Sequence, residues 1–540
     1  MIVAPRPPDR KAIEEYVAKG YWGDTTFGDI LERRAAEHPD REVFSDARRR
    51  LTYGQLWTEV RRCAALLERN GVRRGDVVTI QMVNRIEFPV VFFALELIGA
   101  IANKVSPDFR AMELEYILRF SGSSVYVCGA QFRGFDYVAM IQGIRPKLPQ
   151  LRAVLCVDPT DHPDVVGIAE ELKTAVPLAA SERVRMSAIE PMRMCFTSGT
   201  TGNPKGVLHC FNTTLCASHL LNDEFRCTDR EVFLVWLPVG LNWGYLTLVQ
   251  AVMAGARAVL MERFSAEGAL ELIEKERASF IATAPASLVA ILNSPSLQRR
   301  DLTSLRVVIT GGASAAVETI KAFQAAVPSA KLIELYGMLE TGFHTFTRLT
   351  DDPLKVNGTI GRCVPMMGLR IIDDQGKDVP YGEEGEIAAI GPSVHIGYLN
   401  NEAANRDSFT QDGWFRTGDL ARYADAEGNV RIVGRKKEII NRGGKKFFPR
   451  EVEELLYEHP KILQVAIVGV PDPRLGERSC MCAIPKQGTK LELSEFVSFL
   501  KGRVADYKLP EQLVVMDDFP MTPTGKLKRP DLVKRVVSGS

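Results

Sequence analysis

Apolar residues recur along this chain in two alternating rhythms. Between residues 56 and 70 they fall at helical spacing, with Leu56, Val60, Cys63, Ala64 and Leu67 on one side and Gly71 at the end, which predicts an amphipathic helix closed by glycine. After the Arg74-Gly75-Asp76 turn, the mostly apolar run 77–82 predicts a strand. The same pair recurs as a helix over 270–277 and a strand over 280–284, and a further strand over 305–310 runs straight into Gly311-Gly312. Short apolar runs closed by glycine-rich turns mark buried parallel strands, and their alternation with helices predicts α/β layering. From 357 to 433 the rhythm changes to short strands separated by Gly and Asp turns, such as 373–376 and 425–428, which predicts a β-rich subdomain. Beyond Arg435 it changes again. A basic run, Arg435-Lys436-Lys437, leads to an apolar strand, a Gly443-Gly444 turn, a helix over 449–459, strands over 464–470 and 480–485, a helix over 493–504 and a tail of Pro, Thr and Gly. About a hundred residues of this mixture suffice for a small α+β domain, and its boundary is expected at the basic run.

Length requires more than one core, because 540 residues exceed the roughly 250–300 that a single core covers. The 46% hydrophobic and 25% charged residues are those of ordinary globular chains and exclude disordered, collagen-like and coiled-coil readings. Lys plus Arg (68) nearly equals Asp plus Glu (67), so no nucleic-acid or anionic-membrane partner has electrostatic support. Any anion binding must come from a local site. The ten cysteines are scattered without a CxxC pair, and Cys480-Met481-Cys482 alternates as a strand would, without histidine company. That usage reads as buried free thiols in a reducing compartment rather than as a metal site. Residues 1–11 hold Pro and charge but no apolar stretch, so no signal peptide is expected. The longest apolar stretches, 88–105 and 245–261, are broken by Glu96 and by Gln250 and Arg257, short of the ~20 uninterrupted residues of a membrane span. The expectation is a cytoplasmic, enzyme-sized chain.

The chemistry concentrates in Phe196-Thr197-Ser198-Gly199-Thr200-Thr201-Gly202-Asn203-Pro204-Lys205-Gly206, which follows a mostly apolar strand. Glycines let successive backbone N–H groups converge on an anion, hydroxyls add donors, and Lys205 adds charge. The string is a phosphate cradle by chemistry, yet it lacks the Gly-Lys-Ser/Thr ending of a P-loop. By composition alone it also reads as a solvated turn. The full string is similar to the phosphate-loop signature of the adenylate-forming superfamily, which includes acyl- and aryl-CoA synthetases, peptide-synthetase adenylation domains and luciferases. The likeness recurs in order from Leu51-Thr52-Tyr53 and residues 71–77 to Lys526.

The resemblance implies a role for each further motif. Tyr336-Gly337-Met338-Leu339-Glu340-Thr341 resembles the adenine-side motif, with the tyrosine face against adenine and Glu340 as the Mg²⁺ ligand, a hard cation on carboxylate oxygen. The family pattern usually has threonine before that glutamate; here Leu339 can donate nothing to the α-phosphate. Trp414-Phe415-Arg416-Thr417-Gly418-Asp419-Leu420 resembles the ribose motif, so Asp419 would accept from both ribose hydroxyls and Arg435 would join it. Lys437 falls at the hinge position. Thr522-Pro523-Thr524-Gly525-Lys526 resembles the terminal motif whose lysine enters the site during adenylation. Gly443-Gly444-Lys445-Lys446 resembles the loop that lines the thiol tunnel in a rotated state, with Lys446 near the phosphates of coenzyme A.

The acyl pocket is expected from Leu241, Asn242 and Trp243, with Leu339 and with Gly311, Gly312 and Gly337 leaving room for a ring. Leu241 stands where relatives often have histidine, and Asn242 resembles the asparagine of aryl-acid ligases. No aspartate for an α-amino group aligns, which favours an aryl, alicyclic or polycyclic acid. His209, His219 and His344 have no nucleophile–carboxylate company and read as structural. The fold implied is α/β: a large N-terminal region of layered sheets with a β-rich subdomain, residues 1–436, and a small mobile α+β domain, 437–540. The function implied is an acid–CoA ligase using ATP, Mg²⁺ and coenzyme A, with Lys526, Glu340 and Thr197 as catalytic residues. Two alternatives stay open. Leu339 allows an enzyme that only converts an acyl-adenylate made by a separate partner, and the thiol acceptor can also be a carrier protein.

Overall fold

In the computed structural model, residues 2–197, 204–312, 315–356, 358–522 and 527–539 are described. Two large sheets dominate. A seven-stranded sheet runs in the order Gly206–His209, Arg193–Phe196, Ile101–Val105, Val77–Gln81, Val125–Cys128, Ala153–Cys156, Val166–Gly167, and it is parallel except at its first pair. A nine-stranded sheet carries a parallel centre that includes Phe280–Thr283, Val307–Gly311 and Lys331–Met338.

Between the sheets lie two largely apolar helices. Every residue from Phe88 to Leu97 of the helix Glu87–Leu97 is buried, the burial expected of a helix that is apolar all round. It meets the helix Asn242–Ala254 where the Phe92 and Tyr245 rings lie 4.5 Å apart. Amphipathic helices such as Ala111–Ser121 and Ala266–Glu276 cover the outer faces. The two long apolar stretches of the sequence are thus the centre of the layering, and among the described residues no helix is long and apolar enough to cross a membrane.

The predicted elements shift slightly at their ends, for local reasons. The helix expected over 270–277 begins at Ala266, because Ser265 caps it by accepting from the Gly268 N–H at 3.2 Å. The strand expected from 305 begins at Val307, because the Leu305 N–H closes a turn onto Leu302.

The β-rich stretch is a four-stranded antiparallel sheet, Gly368–Ile372, Gly385–Ile390, Phe415–Tyr423 and Val430–Arg435. From its last strand the chain passes through the one-turn helix Lys436–Glu438 into a separate sheet built from Ile440–Arg442, Lys445–Phe447, Ile462–Asp472, Gly476–Pro485 and Gln512–Val515. Its helix Pro449–Leu456 buries Val452 and Leu456 against that sheet.

Candidate active site

The nucleotide-side residues converge through strand pairing. Asp419 and Arg435 are register partners on adjacent antiparallel strands. The Arg435 Nε donates to Asp419 Oδ1 at 2.9 Å, and the Tyr336 hydroxyl donates to Oδ2 at 2.8 Å. The carboxylate is thereby held in one orientation by two donors, with lone pairs to spare. Burial, and then the charge of Asp419, push the Tyr336 phenol well above its ordinary range, so it stays a donor. The Tyr336 ring packs against the β-rich layer at Ile360, Ile371 and Ile387, while its neighbours Leu335 and Gly337 line the cavity.

A second set forms around Glu340, which is buried. The Tyr398 hydroxyl donates to Glu340 Oε1 at 3.1 Å, and the Glu340 carbonyl accepts from the His395 N–H at 2.7 Å. The Tyr398 ring lies 4.7 Å below the Lys205 ammonium, a distance at which ring and cation attract. Lys205 and Thr197 close the base of the phosphate loop. The Lys205 N–H donates to Thr197 Oγ1 at 3.1 Å, and the Thr197 N–H donates to the Lys205 carbonyl at 3.0 Å. Ser198, Gly199, Thr200, Thr201 and Gly202 lie outside the described residues, as does Lys526. Thr522 and Leu527, which flank the latter, line the same cavity as Thr197, Lys205, Glu340, Asp419, Arg435 and Lys437. Its volume is about 1120 Å³, more than the roughly 300–1,000 Å³ of a single drug-sized ligand site. Among the described residues no three potential metal ligands cluster. The single carboxylate of Glu340 fits a Mg²⁺ that takes most of its oxygens from phosphate and water.

The residues expected to form an acyl pocket share one cavity wall. Leu241, Asn242, Trp243, Gly311, Gly312 and Leu339 all line the cavity. Gly311 and Gly337 also allow close packing of the wall itself. A Cβ at Gly311 would stand 3.1 Å from the Trp243 indole and 2.5 Å from the Leu335 carbonyl, and one at Gly337 would stand 2.2 Å from the Gly342 carbonyl. Leu339 packs beside the apolar group Val207, Tyr398 and Phe415, and its carbonyl accepts from His209 Nε2 at 2.8 Å. His209 thus anchors the adenine-side turn. His344 bonds the Gly368 carbonyl, and His219 pairs with Asp223 on the surface. Gly443, Gly444 and Lys446 are exposed and lie outside the cavity lining, so this arrangement does not bring them to the nucleotide side. Tyr398 escaped the sequence reading, and His209, read there as structural, has its partner only in the fold. Tyr398 is 58 residues from Glu340 and His209 is 130 from Leu339, and no local pattern links such pairs.

Two layered sheets, a β-rich arm carrying Asp419 and a small terminal lobe whose Thr522 and Leu527 line the same cavity define an adenylate-forming ligase. The chain belongs to the AMP-binding enzyme family: residues 31–399 match the family "AMP-binding enzyme", and residues 451–526 match "AMP-binding enzyme C-terminal domain". It is 32% identical over 530 residues to the medium-chain fatty-acid–CoA ligase of Escherichia coli (strain K12), covering 96% of this chain and 93% of that one. It is 32% identical over 529 residues to the 2,3-dihydroxybenzoate–AMP ligase of Bacillus subtilis (strain 168), covering 97% and 95%. Its fold matches the anthranilate CoA ligase AuaEII in complex with anthranoyl-AMP, with a TM-score of 0.88 at 24% identity over 96% of this chain and 98% of that chain.

Proposed function

We propose that this chain joins a ring-containing carboxylic acid to the thiol of coenzyme A through an acyl-AMP made from ATP. The observation that supports it most is the meeting on one cavity of Asp419 with Arg435, Glu340 with Lys205, and the wall of Leu241, Asn242 and Trp243. Relatives named for 2,3-dihydroxybenzoate and anthranilate favour a ring acid; the relative named for medium-chain fatty acids is the competitor to test.

In the first step the acid's carboxylate attacks the α-phosphate, forming a P–O bond while pyrophosphate leaves with the electrons of the bond that breaks. Asp419 accepts from the ribose hydroxyls, its orientation set by Arg435 and Tyr336. Thr197, Lys205 and the loop residues Ser198 to Gly202 donate to the phosphates. Lys526 bridges the carboxylate and the α-phosphate, where charge redistributes in the transition state. Glu340 would hold a Mg²⁺, which when bound would supply charge neutralisation at the phosphates. In the second step the small domain turns about Lys437, brings Gly443, Gly444 and Lys446 to the cavity, and the thiol displaces AMP from the mixed anhydride. Such turns often limit turnover.

A second reading has one observation in its favour. Leu339 lines the cavity with an apolar side chain at the position before Glu340, which suits a chain that receives a finished acyl-adenylate and only forms the thioester. A paired assay on ring acids and medium-chain acids decides. One arm follows ATP-dependent pyrophosphate release; the other follows acyl-CoA from synthetic adenylates, with a phosphopantetheinylated carrier protein as alternative acceptor. Both activities on ring acids are expected. Thioester without pyrophosphate, followed by pyrophosphate release in Leu339→Thr, would establish the second reading. A Lys526→Ala variant is expected to lose the first arm and keep the second, and equal loss of both would remove Lys526 from the adenylation role.

A further inference from the structure

Behind the expected acyl wall stand two buried cationic side chains that, among the described residues, pair with no carboxylate. Arg193 and Cys195 share a face of the strand Arg193–Phe196, and Lys104, register partner of Cys195 on the parallel strand Ile101–Val105, lies on that face too. Cys195 lines the cavity. Arg193 is 1% exposed and Lys104 is 0% exposed. The Arg193 guanidinium donates to Thr214 Oγ1 at 2.9 Å and to Asn242 Oδ1 at 3.0 Å, both uncharged. Lys104 Nζ has no hydrogen-bond partner among the described residues; the Cys195 thiol is the group that favours its charge. Both cations stand against one ring, at 5.0 and 5.2 Å from the Tyr245 centroid. Glu96, the acid among the described residues that acts on Tyr245, accepts from the Gly28 N–H at 2.6 Å, and burial raises its carboxyl to about 8.

Buried charges in folded chains are normally paired, and like charges packed together are costly. Burial, helped by the nearby Arg193, brings Lys104 down from its ordinary range to about 8. The geometry therefore places the buried Arg193 charge, with Lys104 against the same ring, beside the cavity. Arg193 also sets the polarity of Asn242. A guanidinium can only donate, so it must meet the oxygen end of the amide, and Nδ2 is left as a donor at a residue that lines the cavity. The carboxylate to be activated does not balance this charge, because it is drawn to the phosphate side, where Lys205 stands.

We propose that the acid this chain activates carries a second carboxylate, held at Asn242 and balancing Arg193 and Lys104. The inference rests on the ligase reading, shares Asn242 with it, and adds Arg193 and Lys104, which that reading does not use. Arg193 and Lys104 act as positioning residues, through Asn242 and the field behind Cys195.

The test is calorimetric titration of the full chain with the three benzenedicarboxylates and their monomethyl esters. At least one diacid is expected to bind about tenfold or more tightly than its ester, and the gap is expected to close in Arg193→Met and Lys104→Met. The comparison of acid with ester in the unaltered chain needs no variant, and replacement of a buried charge by a well-packed apolar side chain is often neutral or stabilising. Equal or absent binding of every diacid, or a preference that survives in both variants, overturns the proposal. Thioester formation measured in parallel judges the ligase reading separately. Thioesters made only from uncharged ring acids would overturn the second carboxylate and keep the ligase. Charge-selective binding without any thioester or pyrophosphate would do the reverse.

Discussion

Single side chains in this protein act through partners far away in sequence, and the clearest case is Tyr398. A hydrogen bond to a charged group is worth about 1.5–3 kcal/mol. Tyr398→Phe, which frees Glu340 Oε1 but keeps the ring under Lys205, is therefore expected to lower kcat/KM for pyrophosphate release by about tenfold or more. Thioester formation from supplied adenylate should change less; equal loss in both steps would show that Tyr398 serves the fold rather than the first step. Glu96 offers a test of burial instead of chemistry. Burial raises its carboxyl to about 8, against an ordinary 4.5, although the Gly28 N–H opposes this. Between those two values the folded chain keeps a proton that the unfolded chain has released. Stability should thus fall as the pH rises from about 4.5 to about 8. Denaturant midpoints across that range should show the fall in the wild type and a flatter curve in Glu96→Gln.

At the scale of elements, strand register does the assembling. The antiparallel pairing of Phe415–Tyr423 with Val430–Arg435 sets Arg435 opposite Asp419, so the ribose-side carboxylate is organised by backbone hydrogen bonds before any ligand arrives. The turn after Lys331–Met338 depends on close backbone approach. A Cβ at Gly337 would meet the Gly342 carbonyl at 2.2 Å, and Gly337→Ala is expected to destabilise by about 1–3 kcal/mol, the usual range for overpacking. Gly143, in the helix Tyr137–Ile144, has no atom within 4 Å of its Cβ position. Gly143→Ala is the control and should be neutral or slightly stabilising. Equal denaturation midpoints for the two variants would refute the close-approach argument.

The whole molecule carries the two-step logic. In this arrangement the edge at Thr522 and Leu527 faces the cavity, and the Gly443-Gly444 turn is exposed. Gly444, at φ +85, has nothing within 4 Å of its Cβ position. Gly444→Trp should therefore tolerate the local strain, about 1 kcal/mol for a left-handed position, and keep pyrophosphate release. It should lose acyl-CoA formation if that turn lines the thiol path after rotation, measured as thioester per pyrophosphate. An unchanged ratio would place the thiol path elsewhere.

Local pattern was enough for much of this protein. Helix and strand alternation, the change of texture after residue 356 and the basic run at Arg435 follow from periodicity and turn chemistry, which act over a few residues. The motif residues Thr197, Lys205, Glu340 and Asp419 stood out because they sit in short strings that resemble the family's motifs, and all four line one cavity. What the strings could not show was the company those residues keep. Tyr398 beneath Lys205, His209 on the Leu339 carbonyl, and Trp243 filling the space at Gly311 are pairings between segments that only the packed sheets bring together. The same is true of Lys104 and Arg193. Neither stands out in the sequence, and the parallel pairing of their two strands buries both beside the cavity. Sequence alone determined which chemistry is present; tertiary structure decided which charges lack a partner, because burial and long-range register are not written in any local spacing.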